Sequence, residues 1–260
     1  MVTVALQTNC WHRDWRTALR GPRLTRLMER SAFPFTERTL LINALDRYDG
    51  ALQLAGKAIE GGRLTQSVIV EEHADAALAS VGLSRADLAF SYGYSIAELV
   101  GLYLTRCDYI LYFMSDCLPE TVSDWIPQAL ALMQSQPRIK VANLLGNGNA
   151  DEARMEADWE TGDFSVGSGF SDQCYLVRVA DFRAPTYGFD HPGSAHYPDY
   201  GQQGFERRVD SWMRRHGYLR ATFKHASYRH TNLPPSFRGR VEGRIKAVAG
   251  DLSRRLQGQS

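Results

Sequence analysis

The sequence lacks any pair of closely spaced cysteines, since its four cysteines are scattered along the chain and form no Cys-x-x-Cys motif. This scatter indicates neither a zinc ribbon nor a disulfide framework, and we expect buried thiols instead. The chain also lacks an apolar run of membrane-span length, and its N-terminus has no basic region leading into an apolar stretch of signal length. We therefore expect a cytoplasmic protein.

A large excess of charge of one sign is also missing, because the formal net charge is only +1 over 260 residues. A nearly neutral chain has no general attraction to nucleic acid, so we expect no nucleic-acid partner. The exception is the segment 231–260, in which six basic residues outnumber two acidic ones. We expect a basic helical tail there, either a solvated helix or a peripheral contact with a membrane or a partner protein.

Glycine-rich phosphate loops are absent too, because GNGN at residues 146–149 lacks the GxGxxG or GxxxxGK spacing of dehydrogenases and P-loop enzymes. What the chain does contain is an alternation of short apolar segments with helical patterns, which is typical of βαβ units around a mostly parallel sheet. The candidate strands are residues 2–6, 39–43, 67–70, 86–92 and 109–114. With 44% hydrophobic residues, the chain can bury the core of a single large α/β domain.

The strongest candidate strand, residues 109–114, ends on the polar pair Ser115 and Asp116. A capping box of Ser95 and Glu98 predicts the start of the helix that precedes it. A right-handed crossover then places the end of the strand at the carboxyl rim of the sheet, where open α/β sheets bind ligands. A carboxylate at the edge of an apolar layer needs compensation, either by a divalent cation that bridges it to a phosphate or by capping the next turn.

Residues 68–120 resemble the nucleotide-binding half of family-two glycosyltransferases of the GT-A fold. That family has a strand ending in paired acids, a glycine-containing loop, and a later strand ending in Asp-Ser-Asp. The matching positions are Glu71 and Glu72, residues 92–95, and Met114, Ser115 and Asp116. The resemblance implies a GT-A-like open, twisted, mostly parallel sheet, a nucleotide-sugar donor contacted by the paired acids and Ser115, and Mn²⁺ or Mg²⁺ on Asp116. Met114 replaces the family's first aspartate, so the contact of that side chain is lost or supplied elsewhere.

The resemblance continues upstream, where residues 40–59 are similar to the family's first strand and helix. This register places Asn43 beside the nucleotide base and leaves residues 1–38 as an N-terminal addition. A competing register makes residues 2–6 the first strand, with residues 7–9 beside the base, so that 1–38 is the first βα unit. We favour the first register because its interval from Asn43 to Glu72 is closer to the family's interval.

Downstream, residues 169–183 resemble the strand that the family places beneath the donor sugar and the acceptor. The resemblance implies that Asp172 and Gln173 bind sugar hydroxyls and that a late histidine, His230, contributes to the metal or the diphosphate. Ordinary solvation at a strand edge and a structural histidine are the alternatives.

A helix that Gly217 would end follows, and its first turn carries Glu206. By resemblance, Glu206 occupies the position of the catalytic base of inverting members. A carboxylate can take the proton from an acceptor hydroxyl as that oxygen attacks the anomeric carbon. The alternative is a surface glutamate favoured by the helix dipole.

Together these features predict an inverting, metal-assisted glycosyltransferase. It would move a sugar from a nucleoside-diphosphate sugar, with a UDP-sugar favoured, to a hydroxyl of a glycan, lipid or small molecule. Residues 39–143 would form the nucleotide-sugar-binding half, and residues 144–230 the acceptor-binding and catalytic half. The alternatives are a non-catalytic nucleotide-sugar-binding or scaffold protein, which the methionine in the metal motif favours, and a nucleotidyltransferase.

Overall fold

The computed structural model describes residues 2–184, 186–197 and 201–231. The predicted basic tail lies outside these described residues from position 232 onward. The strands are β1 Val4–Cys10, β2 Glu37–Ile42, β3 Gln66–Ile69, β4 Tyr109–Phe113, β5 Cys117–Pro119, β6 Ile139–Gly146, β7 Ala157–Thr161, β8 Phe164–Gly167, β9 Cys174–Arg178 and β10 Leu219–His230. The α-helices are α1 Trp15–Leu19, α2 Arg23–Ser31, α3 Asp49–Glu60, α4 Ala74–Ser80, α5 Arg85–Leu88, α6 Ile96–Leu104, α7 Trp125–Ser135, α8 Ala150–Met155, α9 Val179–Phe182 and α10 Phe205–His216.

All ten strands belong to one sheet in the order β3-β2-β1-β4-β9-β6-β10-β8-β7, and β5 pairs with the end of β10. Strands β1 to β4 are parallel to one another, and β6 is parallel to β10. Strand β9 is antiparallel to both β4 and β6, so these two run in the same direction. Within the described residues, only β5, β8 and β9 run against the other strands. The predicted mostly parallel sheet in one domain is confirmed.

Helices cover both faces of this sheet, and β4 shows why its sequence is a continuous apolar run. Ile110 and Tyr112 face the cluster that contains α6 and α10, whereas Leu111 and Phe113 face the cluster that contains α7. A strand buried on both faces has no polar alternation. No helix in the described parts of the chain has both the length and the apolar character that crossing a membrane requires.

The N-terminal segment is part of the sheet, which corrects the favoured register of the first strand. Strand β1 pairs with β2 on one side and with β4 on the other, through Val4 opposite Tyr109 and Thr8 opposite Phe113. Residues 2–38 are therefore no addition beside the domain, because β1 lies in the middle of the sheet and α1 and α2 contribute to its hydrophobic core. The prediction was wrong because β1 and β2 each contain a short run of apolar residues, and only long-range pairing decides which of them lies beside β4.

The candidate strand at residues 86–92 is also wrong, because α5 and a 3-10 helix, Ala89–Tyr94, occupy this segment. A capping box starts α5, with the Ser84 backbone N–H donating to Asp87 Oδ2 at 2.8 Å. Only Leu88 of α5 is buried. The capping box favours a helix, and a largely exposed segment gains little from burying its apolar residues in a sheet.

The capping box predicted at the start of α6 does not form. Ser95 Oγ instead accepts a hydrogen bond from the Phe205 backbone N–H at 2.9 Å, which joins the start of α6 to the start of α10. Glu98 lies buried inside the domain, where its Oε1 accepts from the Tyr112 hydroxyl at 2.9 Å. The spacing of Ser95 and Glu98 is that of a capping box, but both side chains form hydrogen bonds with residues outside α6 instead.

Candidate active site

A cleft of about 350 Å³ opens at the carboxyl rim of β1, β2 and β4. Because β9 is antiparallel, the residues just before it lie at this same rim, as do the start of α10 and the end of β10. The structure thereby brings together seven of the nine site residues that the sequence predicted. These are Asn43, Ser115, Asp116, Asp172, Gln173, Glu206 and His230.

Glu71 and Glu72, the two remaining predicted residues, do not line this cleft. Both are exposed, and Glu71 accepts hydrogen bonds from Arg85 Nη1 at 2.6 Å and from the Tyr92 hydroxyl at 2.8 Å. Strand β3 lies at the edge of the sheet, and the chain turns after it into a 3-10 helix, Val70–Glu72, that directs the acids toward α5. Their assignment to the donor therefore stays a prediction, and the geometry of the cleft adds no support to it.

The ends of β1 and β2 contribute amide side chains to the cleft. Asn43 is buried, and its Nδ2 donates to the Gly93 carbonyl at 2.8 Å, which ties the end of β2 to the loop before α6. Asn9 Oδ1 accepts from the Ser115 backbone N–H at 2.9 Å. Asn9 was one of the residues in the competing register, so the sequence did contain the signal for it.

Asp14 is a buried carboxyl of the cleft that sequence analysis missed. Its Oδ1 accepts from the Trp11 backbone N–H at 2.8 Å, and its Oδ2 accepts a short hydrogen bond from Ser115 Oγ. Burial raises the pKa of Asp14 to about 6. Ser115 is thus oriented by a residue of the loop after β1, and Arg23 Nε donates to its carbonyl.

Asp116 and His230 form a hydrogen-bonded pair in the cleft. Asp116 Oδ2 lies 3.0 Å from His230 Nε2, and this carboxylate raises the pKa of the imidazole. The Asp116 side chain therefore contacts a histidine rather than capping a turn. Cys117 Sγ lies 3.7 Å from Asp116 Oδ1, and burial together with Asp116 raises the pKa of this thiol.

These three side chains also fit a divalent cation. One potential ligand atom from each of Asp116, Cys117 and His230 lies within 4.8 Å of the other two. A carboxylate oxygen, an imidazole nitrogen and a sulfur atom are all common ligands of divalent transition metals. Sequence analysis identified the aspartate and the histidine but treated the cysteine as a buried thiol.

Asp172 and Glu206 form a pair of carboxyl groups in the same cleft. The Asp172 backbone N–H donates to Glu206 Oε1 at 3.3 Å. Burial, and to a lesser degree Asp116, raises the pKa of Asp172 to about 6, while burial and then Asp172 raise the pKa of Glu206 well above its ordinary value. Glu206 is therefore not a surface glutamate, and this pair retains a proton to higher pH than two separate carboxyls would.

A further carboxyl lies behind the cleft. Glu98 is fully buried and, within the described residues, its Oε2 has no hydrogen-bond partner. Burial and then Asp172 raise the pKa of Glu98 to about 8. Glu98 is therefore largely protonated and uncharged near neutral pH.

A second cavity of about 410 Å³ meets the first, and the two share Gln173 and Glu206 as lining residues. Its other lining residues include the buried hydrogen-bonded pair Thr222 and Asn143, whose Oγ1 and Oδ1 atoms are 2.8 Å apart. Gln173 Oε1 accepts from the Tyr228 hydroxyl at 3.0 Å. Glu206 can therefore reach ligands in both cavities.

Comparison with known proteins extends the description of the fold. No family model matches the sequence, and no similar curated protein was found. The crystal structure of GalNAc-T7 with UDP, GalNAc and Mn²⁺ is similar with a TM-score of 0.54 at 10% identity, covering 90% of this chain and 44% of that chain. The structure of a mycobacterial protein has a TM-score of 0.51 at 14% identity, covering 90% of this chain and 68% of that chain. This chain thus spans less than half the length of GalNAc-T7 and has the GT-A fold.

Proposed function

We propose that this chain is an inverting glycosyltransferase that uses a nucleoside-diphosphate sugar and a divalent cation. The observation that carries the proposal is that one cleft holds two potential cation ligands, Asp116 and His230, together with a carboxyl, Glu206, that has the chemistry of a general base. The GT-A fold supports this reading, as does the crystallisation of GalNAc-T7 with UDP, GalNAc and Mn²⁺. By analogy with that complex, we favour a UDP-sugar as the donor.

The donor would lie along the rim with its nucleoside over the ends of β1 and β2. Asn9 and Asn43 offer amide groups there, and the Trp11 and Tyr94 rings, whose centroids are 6.0 Å apart, offer flat surfaces for the base. The diphosphate would then reach Asp116 and His230. A divalent cation bound by these two residues would offset the negative charge that develops on the leaving diphosphate.

Transfer would be a single displacement at the anomeric carbon. Glu206 accepts the proton of the acceptor hydroxyl while the acceptor oxygen forms its bond to that carbon. The bond from the anomeric carbon to the diphosphate oxygen breaks, and the nucleoside diphosphate leaves with the electron pair. Because the base acts on the face opposite the leaving group, the anomeric configuration is inverted. The raised pKa of Glu206 makes it a stronger base once it is ionised.

The acceptor would enter through the second cavity, since Glu206 lines this cavity as well as the cleft. The cavity presents amide and hydroxyl groups from Asn143, Gln173, Thr222 and Tyr228. Such a lining forms hydrogen bonds to hydroxyl groups and offers little to an acyl chain. We therefore favour a glycan or a small polar molecule over a lipid as the acceptor.

The test is a panel of nucleoside-diphosphate sugars with Mn²⁺ or Mg²⁺ and polar acceptors, scored for release of the nucleoside diphosphate. We expect turnover of one donor and its loss in Asp116→Ala. Release of pyrophosphate from a nucleoside triphosphate would instead indicate a nucleotidyltransferase. Failure of every donor to bind or react would overturn the proposal.

One observation favours a second candidate, a nucleotide-sugar-binding protein without transfer. Met114 lines the cleft at the position where the resembled motif has its first aspartate. Asp14, which accepts a hydrogen bond from Ser115, provides another carboxyl in the cleft. The missing aspartate at position 114 is therefore a weaker argument against transfer. The same panel separates the two functions, because a binding protein would hold a donor without releasing its nucleotide.

A further inference from the structure

Cys117 lies where a ligand of the cation would lie, which no pattern in the sequence indicated. Strands β5 and β10 are antiparallel, and Cys117 is directly opposite His230 in their register. Directly opposed residues of an antiparallel pair direct their side chains to the same face and lie close together. Asp116 immediately precedes β5 and contacts both side chains. The fold therefore gathers a thiol, an imidazole and a carboxylate at one point.

The distances match those of a shared ion. In a tetrahedral site with metal–sulfur bonds of about 2.3 Å and metal–oxygen bonds of about 2.1 Å, the sulfur and oxygen atoms are roughly 3.6 Å apart. Cys117 Sγ and Asp116 Oδ1 are 3.7 Å apart. One ligand atom of each residue, His230 included, lies within 4.8 Å of the other two, which is close enough for all three residues to share one ion.

The alternative role of Cys117 is packing alone. Its side chain is 1% exposed and belongs to the apolar cluster on the α7 side of the sheet. Packing explains the burial but requires neither the position opposite His230 nor the contact with Asp116.

We propose that Cys117 is the third protein ligand of the cation held by Asp116 and His230, and that the site prefers Zn²⁺, Co²⁺ or Cd²⁺ to Mg²⁺. The inference rests on the proposed function only in assigning a cation to this site. Thiolate and imidazole ligands suit the borderline and soft ions, whereas Mg²⁺ prefers oxygen ligands. Binding would release the thiol proton to solvent. Three protein ligands would leave a fourth position for a phosphate oxygen of the donor.

The test is optical titration of the purified full chain with Co²⁺ alone, without donor or acceptor. We expect a sulfur-to-cobalt charge-transfer band in the near ultraviolet. In Cys117→Ser this band should disappear. The Co²⁺ affinity should fall by at least about tenfold, because replacing a residue that only supports a metal ligand already lowers metal affinity by about 10–100-fold. The Mg²⁺ affinity should stay unchanged. The matched control is Cys107→Ser, a cysteine that is 5% exposed and precedes β4 at the opposite end of that strand, and it should retain the band.

The possible outcomes separate this inference from the proposed function. Co²⁺ binding that depends on Asp116 but shows no sulfur band overturns the role of Cys117 and leaves the transferase intact. Absence of any cation binding, with donor turnover preserved, overturns the metal site as a whole. If Cys117→Ser does not fold, the ¹¹³Cd resonance of the unsubstituted protein decides, because a sulfur ligand shifts it far downfield of an all-oxygen-and-nitrogen site.

Discussion

Replacing Glu206 with glutamine isolates proton transfer from the other contacts of this side chain. Glutamine keeps the length of glutamate and retains an Oε1 atom that can accept the Asp172 backbone N–H. Folding and donor binding should therefore survive. What the variant loses is the ability to take a proton from the acceptor hydroxyl.

The expected loss follows from the environment of the carboxyl. A positioned general base contributes about 10²–10⁴-fold to the rate, and its contribution is largest when its pKa is close to the working pH. Burial and then Asp172 raise the pKa of Glu206 well above its ordinary value, which makes its ionised form a stronger base. From the range for a positioned general base, we expect a loss in kcat of about 10³-fold. This loss corresponds to about 4 kcal/mol of transition-state stabilisation.

The assay is steady-state release of the nucleoside diphosphate between pH 5 and 9, combined with calorimetry of UDP binding in the presence of Mn²⁺. A base acts only when deprotonated, so the rate of the unsubstituted protein should fall as pH falls through the raised pKa of the Asp172 and Glu206 pair. Glu206→Gln should lose this dependence and keep its affinity for UDP. Glu60→Gln, which changes an exposed carboxylate at the end of α3 and outside the cleft, is the control and should match the unsubstituted protein. Undiminished turnover in Glu206→Gln would remove Glu206 from the role of base.

Three further predictions concern groups around the cleft. Glu98 binds its proton more tightly in the folded protein, with a pKa of about 8, so stability should decrease as pH rises from about 5 to 8, by about 1.4 kcal/mol per pH unit. Urea unfolding of Glu98→Gln should lack this component. Asp116→Asn should lower the pKa of His230, which NMR titration of the metal-free protein would show, and an unchanged value would contradict their pairing. Gly101→Ala should destabilise the fold by about 1–3 kcal/mol, because the new Cβ would overlap Oε1 of the buried Gln7. Gly56→Ala is the matched control: it has open space around it and should stabilise α3 by up to about 1 kcal/mol.

Much of the cleft could be predicted because its residues follow recognisable elements. The apolar run before Ser115 and Asp116 indicates a buried strand, and the periodic pattern after Glu206 indicates a helix that Gly217 ends. The ends of such elements lie at predictable edges of an α/β sheet. Once the type of sheet was assigned, the side chains at these ends were expected to meet.

The errors arose where local patterns were equivalent. Strands β1 and β2 are both short and largely buried, and no property of either segment alone shows which one is the neighbour of β4. Choosing the wrong neighbour left Asn9 and Asp14, which line the cleft, outside the favoured set of candidate residues.

By itself, the sequence determined that the chain forms a mostly parallel α/β sheet and which strand and helix ends carry acidic groups, because burial and capping act between residues that are close along the chain. Only the tertiary structure decided that Asp14 orients Ser115, that Glu98 is buried beneath the cleft, and that Cys117 lies opposite His230. Asp116 and His230 are 114 residues apart, and their contact depends on strand pairing across the whole sheet. The free energy of such pairing arises only when distant strands come together, so it cannot be predicted from any short segment of the sequence.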